Sequence, residues 1–119
     1  MNDVVNKEFT HLKIHTQYSI CEGALRTKDL AKYCKENKIK AAGLCDSNNL
    51  CGALEFSELL AKYKTQPIIG TQINIKYENR TGKIPLFAKN LEGYKNLIKL
   101  SSKSFLEIKD SEEPHCQIE

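Results

Sequence analysis

Tryptophan is absent from these 119 residues, methionine occurs once and proline three times. Long apolar runs are missing as well. No stretch approaches the roughly 20 residues that a membrane-spanning helix needs, and the opening MNDVVNKEFT lacks the basic head and apolar core of a secretory signal. A cytoplasmic location without a membrane partner is the expectation. The five cysteines (Cys21, Cys34, Cys45, Cys51 and Cys116) contain no Cys-x-x-Cys pair, which argues against a zinc ribbon or a thioredoxin-like redox motif. They read as reduced thiols, with Cys45 and Cys51 as small core side chains. Massed positive charge is lacking too. The net charge is +3 and the lysines are scattered, so Lys32, Lys35, Lys62, Lys64, Lys95 and Lys99 read as solvated helical faces. No aromatic-studded basic groove points to a stand-alone nucleic-acid-binding module.

What is present suffices for a core. Hydrophobic residues make up 40% of the chain and charged ones 28%, as expected of one domain or a piece of a larger one. The run FTHLKIH (Phe9 to His15) alternates and reads as a first strand. His11, Lys13 and His15 would share one face, with Leu12 and Ile14 on the other. A helix is expected from about Thr27, as its N-cap, to Asn37, with Leu30, Ala31 and Cys34 on one side. The short apolar run AAGLCD (Ala41 to Asp46) suits a parallel strand buried on both faces.

SNN then reads as a loop and cap before a helix from about Cys51 to Tyr63, which carries Ala53, Phe56, Leu60 and Tyr63 at helical spacing. PIIGTQINIKY is a third strand, ENRTGK a turn and IPLFAK the partner strand. A last helix, from about Leu91 to Phe105, would bury Tyr94, Leu97, Ile98 and Phe105. Residues 1–8 read as an N-terminal extension, 9–106 as the domain and 107–119 as a polar tail or truncation scar without core residues. The alternation of strands and helices indicates an α/β sheet with parallel strands, too few to close an eight-stranded barrel.

Ligands of such sheets bind at the carboxyl ends of the strands. His15, Glu22, Asp46, Ser47 and Gln72 fall there, with Lys13 beside His15. A divalent-metal phosphoesterase would need several His and carboxylate donors at this place. This chain offers one good His, one Glu and one Asp. His11 reads as a strand histidine near the rim, and Asp46 suits a loop carboxylate accepting backbone N–H bonds as well as a site role.

Taken together, FTHLKIHTQYSICEG, GLCDSNNLCGALEF, QPIIGTQINI and GYKNLIKLSSKSF resemble the N-terminal PHP (polymerase and histidinol phosphatase) domain of the bacterial DNA polymerase III alpha subunit. The resemblance runs from about Phe9 to Phe105 with the motifs in order, and GYKNLIKLSSK is typical of the replicative polymerase branch. It implies a partial PHP-type distorted (β/α) barrel, roughly its first three βα units plus a hairpin. Metal-binding members of the family hold a cluster of ions at the strand ends. Carried onto this sequence, the His-x-His motif becomes Lys13-Ile14-His15, and the acidic ligand before the glycine corresponds to Glu22. The Asp-His pair becomes Asp46-Ser47, and the glutamate after PIIG becomes Gln72. Three of the five early ligand positions are therefore changed, and Lys13 places an ammonium where a donor should be.

The resemblance thus implies a degenerate site, with His15, Glu22 and Asp46 as relicts and no catalytic residue, metal or cofactor expected. Lys13 is expected to stand in for the lost cation within salt-bridge reach of Glu22 or Asp46. The implied role is in DNA replication, as a truncated structural or interaction module. Its partners would be the remainder of the alpha subunit or holoenzyme and the proofreading exonuclease subunit, with DNA reached only through the complex. The catalytic aspartates of the polymerase palm do not occur in the chain, so it should not act alone as a DNA-directed DNA polymerase or nucleotidyltransferase. The alternative is a metal-dependent phosphoesterase or 3′–5′ exonuclease using zinc, manganese or magnesium, with missing ligands from a partner. An isolated, unclosed barrel would expose strand edges and apolar faces, and marginal stability is expected.

Overall fold

The computed structural model describes residues 9–118; the expected N-terminal extension lies outside them. The elements run α1 (Thr27–Glu36), β1 (Ala41–Ser47), α2 (Ala53–Lys62), β2 (Gln66–Tyr77), β3 (Arg80–Phe87), α3 (Leu91–Leu106) and β4 (Cys116–Gln117). β1 and β2 pair in parallel from Ala41↔Gln66 to Ser47↔Gln72. With α2 between them they form a βαβ unit, as the buried run AAGLCD predicts. β2 is long enough to be shared: its far half pairs antiparallel with β3, out to Tyr77↔Arg80.

The core lies on one face of this sheet. Ala42 and Leu44 of β1 meet Leu30, Ala31 and Cys34 of α1 and Ala53, Phe56 and Leu60 of α2, with Ile14, Ile69 and Tyr94 packed against them. Because strand side chains alternate, Gly43, Cys45 and Ser47 fall on the opposite face of β1, and Gly70 and Gln72 on the same face of β2. That opposite face carries Ser47 and Gln72 of the candidate site.

Several sequence expectations are corrected. Phe9 to His15 is not a strand of a ladder; it touches β1 in one parallel bridge, Ile14↔Leu44. Gly43 makes the approach feasible, since a Cβ there would lie 2.5 Å from the Leu12 carbonyl oxygen. The ladder then stops because its next two donors are diverted. Thr16 N–H donates to Asp46 Oδ1 and Ser47 N–H to Ser19 Oγ, rather than to backbone carbonyls.

Thr27 is the first residue of α1 rather than its cap. Its N–H is taken by Gln17 Oε1, and the N-cap position belongs to Arg26. Before α2 the cap position is Gly52, with no side chain capping it. Asn49 instead closes a local turn by accepting the Cys51 N–H. β3 begins at Arg80, so the hairpin turn is only Glu78-Asn79, with Glu78 at φ 51. α3 buries Leu97 but leaves Ile98 and Phe105 exposed, with Tyr94 half-buried.

The tail read as lacking core residues folds back on the sheet. Cys116 is buried and pairs with Ile75, on the edge of β2 that lies beyond the end of β1. Asn74 Nδ2 donates to the Pro114 carbonyl at 3.0 Å, and His115 N–H to that of Ser104.

Candidate functional site

Two linked clusters occupy the strand ends. In the first, Asp46 is fully buried and accepts three hydrogen bonds from neutral donors. They are Thr16 N–H at 2.6 Å, Thr16 Oγ1 at 2.7 Å and Ser19 Oγ at 2.7 Å. By alternation its side chain lies on the Leu44 side of β1, facing the helices. A Cβ at Gly52 would lie 2.7 Å from the Tyr18 ring, so glycine lets that ring close over the start of α2 beside the Asp46 carboxylate. Asp46 is therefore the loop carboxylate, pinning the segment after His15 to the end of β1.

Ser19 joins this cluster to His15. Its hydroxyl has one proton, given to Asp46, so the contact with His15 Nδ1 at 3.3 Å places the imidazole as donor. Nε2 is then left as the acceptor nitrogen. Serine stands between histidine and aspartate here, the reverse of the order that activates a serine nucleophile.

In the second cluster, the Ser47 hydroxyl donates to Glu22 Oε2 at 2.7 Å. This bond holds the Glu22 carboxyl below its ordinary range, helped by the nearby ammonium charges of Lys83 and Lys13. Glu22 itself hangs from the turn closed by its N–H to the Ser19 carbonyl. Gln72 is buried beside Ser47, and among the described residues its Oε1 has no hydrogen-bond partner. A glutamate there would bring a charge with no donor to compensate it; the neutral amide is the less costly occupant.

Lys13 does not fill the expected role. It is exposed and forms no ion pair with Glu22 or Asp46. Asp46 needs no ammonium, because Thr16 and Ser19 already satisfy it. Sequence reasoning missed three participants. Thr16 and Ser19 sit in a loop with no motif spacing to mark them. Lys83 reaches the site only through the register that sets it opposite Asn74. His11 is exposed, its ring edge-on to Phe9 at 4.7 Å.

As arranged, these donors do not fit a divalent ion. Asp46 is buried and engaged by three protein hydrogen bonds, Glu22 is held by Ser47, and Gln72 and Lys13 offer no anionic ligand. Among the described residues no three His, Cys, Asp or Glu side chains gather at one point. Elsewhere, Tyr18 Oη donates to Glu55 Oε2 at 2.7 Å, which lifts the phenol above its ordinary value and lowers the carboxyl.

Comparison with known proteins agrees with this architecture. A family model described as "PHP domain" matches residues 11–119. The DNA polymerase III subunit alpha of Helicobacter pylori (strain ATCC 700392 / 26695) is 41% identical over 110 residues, covering 86% of this chain and 9% of that protein. The subunit of the same name from Rickettsia prowazekii is 44% identical over 99 residues, covering 82% of this chain and 8% of that one. The chain thus spans about a tenth of the length of these relatives. Among solved structures, an amidohydrolase from Chromobacterium violaceum, with bound sulfate and no metal, superposes with a TM-score of 0.60 at 15% identity. That match covers 79% of this chain and 34% of the other, and shows a shared fold with a barrel-type protein. With its family model matching nearly the whole described length, the chain belongs to the PHP domain family.

Proposed function

We propose that this chain is a non-catalytic PHP module of a bacterial replicative DNA polymerase, acting in DNA replication in the cytoplasm. It would work through the remainder of the alpha subunit and the proofreading exonuclease subunit, with DNA reached only in that complex. Its relatives are alpha subunits of DNA polymerase III, which supports the replicative setting. The observation that carries the non-catalytic reading is the fate of the carboxylates. Asp46 is consumed by Thr16 and Ser19, and Glu22 by the serine that stands in the histidine position. A site built to hold a metal leaves its anionic oxygens aimed at the ion.

Elemental analysis of the purified chain after incubation with zinc or manganese, paired with a phosphodiester hydrolysis assay, tests this. The expected outcome is no stoichiometric metal and no turnover. Bound metal with hydrolysis abolished by His15→Ala would overturn the reading in favour of a metal-dependent phosphoesterase.

A further inference from the structure

Lysines that lie apart in sequence converge at the end of the sheet where its parallel strands begin, a strand length of about 20 Å from the candidate site. The loops entering β1 and β2 run side by side there. Gln66 N–H donates to the Lys40 carbonyl at 2.7 Å, and Thr65 Oγ1 to that of Ile39 at 2.9 Å. Lys35 and Lys62 stand in the last turns of α1 and α2, and Lys38 and Lys64 in the loops that follow. All four are exposed, and none forms an ion pair with a described residue. The carboxylates nearest in sequence are Glu36, engaged by Lys32 at 3.9 Å, and Glu58, one turn back on α2.

A cation in a last turn favours the helix dipole, which accounts for Lys35 and Lys62. Lys38 and Lys64 lie beyond that turn, at φ 53 and φ 60, in the left-handed position where glycine ordinarily ends a helix. A side chain strains the backbone there. The chain accepts that strain twice, at equivalent places and for the same ammonium group, and strain of this kind collects at functional positions. The missing part of the barrel is not the occupant. Further strands would pair along the edges of the sheet and leave this end open, and unpaired ammonium groups are costly to bury under protein.

Residues 35–40 and 61–66 present no exposed large apolar side chain of the kind that anchors the centre of a protein interface. Their one aromatic ring, Tyr63, is half-buried with Lys35 over it at 5.0 Å, so no open ring is offered to the stacked bases of a single strand. We infer that this end of the sheet binds the phosphate backbone of double-stranded DNA, through Lys35, Lys38, Lys62 and Lys64 and without reading its sequence. This goes beyond the proposed function, under which DNA is reached within the complex, by giving the chain a contact of its own there. It stands independently of whether the strand-end site holds a metal.

The test uses the full 119-residue chain and a fluorescein-labelled duplex of mixed sequence, followed by fluorescence anisotropy at salt from about 50 to 200 mM. With four phosphates engaged, log affinity should fall against log salt with a slope of about −3.6. Lys38→Gly with Lys64→Gly should reduce that slope by about 1.8 and weaken binding at least about tenfold at the lowest salt. Both changes relieve backbone strain, so the loss should come with greater resistance to urea, which separates it from unfolding. Lys35→Gln with Lys62→Gln leaves the left-handed positions untouched and should weaken binding to a like degree. Lys95→Gln with Lys99→Gln removes the same charge from α3 and should leave the slope unchanged. An equal loss in that α3 variant would overturn the inference, as would an unchanged slope in the double glycine variant or no measurable duplex binding at the lowest salt. So would tighter binding of a polyglutamate peptide, or of the single strand, than of the duplex.

Discussion

Ser47 Oγ lies 2.7 Å from Glu22 Oε2, so the residue in the histidine position of the family's second motif clasps the surviving acidic ligand. The bond spans 25 positions of sequence and ties the loop after His15 to the end of β1. It is a charge-assisted hydrogen bond between two positions that the family resemblance assigns to metal ligands, and restoring those ligands should release it.

Restoring the family pattern with Lys13→His, Ser47→His and Gln72→Glu should release Glu22 and supply three donors on one face of the sheet. Zinc affinity, measured by competition with a chromogenic chelator, should rise by on the order of 100-fold over the natural chain. The single change Ser47→His should gain much less, because Lys13 still opposes the ion. An unchanged zinc affinity in the triple variant would show that the loop, rather than the ligand identities, has lost the site.

Asp46 has a structural duty, and its replacement should cost stability. Asp46→Asn keeps the shape but turns one acceptor oxygen into a donor facing the Thr16 or Ser19 donors. An unmade buried hydrogen bond to a charged group costs about 3 kcal/mol. Urea denaturation of the variant should show a loss of that size. Ser47→Ala, at an only partly buried position, should lose under about 1 kcal/mol by the same measurement. Equal losses would mean that the two clusters act as one.

Much of the fold was legible because its signals are local. The apolar run from Ala41 and the helical spacing of Ala53, Phe56 and Leu60 need no knowledge of distant residues, and the core contains them as expected. What was not legible depends on register and on competition for donors. Nothing in FTHLKIH shows that Thr16 N–H will prefer the Asp46 carboxylate to a backbone carbonyl, yet that choice ends the first strand. Nothing in a polar tail shows that β2 extends past β1 and leaves an edge for Cys116. The candidate site was legible as a set of positions through the family resemblance. Its hydrogen bonding was not, because the two decisive donors, Thr16 and Ser19, stand at none of the ligand positions that the resemblance marks.

Helices α1 and α2 end alike, and both endings are open to improvement. Ile39 N–H bonds to the Cys34 carbonyl and Lys38 N–H to that of Lys35, while Thr65 and Lys64 repeat the pattern onto Leu60 and Ala61. These are Schellman closures, whose left-handed residue is usually glycine. Here it is lysine, at φ 53 for Lys38 and φ 60 for Lys64. A side chain in that conformation costs roughly 1–2 kcal/mol, partly offset by the greater flexibility of glycine when unfolded. Lys38→Gly and Lys64→Gly should each stabilise the chain by about 1 kcal/mol in urea denaturation, and additively. A loss of stability in either variant would contradict the assignment.

Cys45 sets the alkaline limit. Its side chain is fully buried on β1, and burial pushes the thiol from 9.0 up to about 11, with Lys13 pulling weakly the other way. A thiol whose folded pKa is raised binds its proton more tightly in the native state than in the unfolded chain. Its contribution is therefore complete below pH 9 and lost as pH rises toward 11. The loss across that window is on the order of 2 kcal/mol, and Cys34 and Cys116, also raised by burial, act in the same direction. Urea denaturation at pH 8 and pH 10.5 should show the decline, and Cys45→Ala should flatten the larger part of it. The same burial predicts thiol reactivity: at pH 8 a disulfide reagent should modify the exposed Cys21 and Cys51 at once and Cys45 only as the chain unfolds. Rapid labelling of Cys45 in the native state would show that the inner face of β1 is open to solvent, and would remove the basis for the pH dependence.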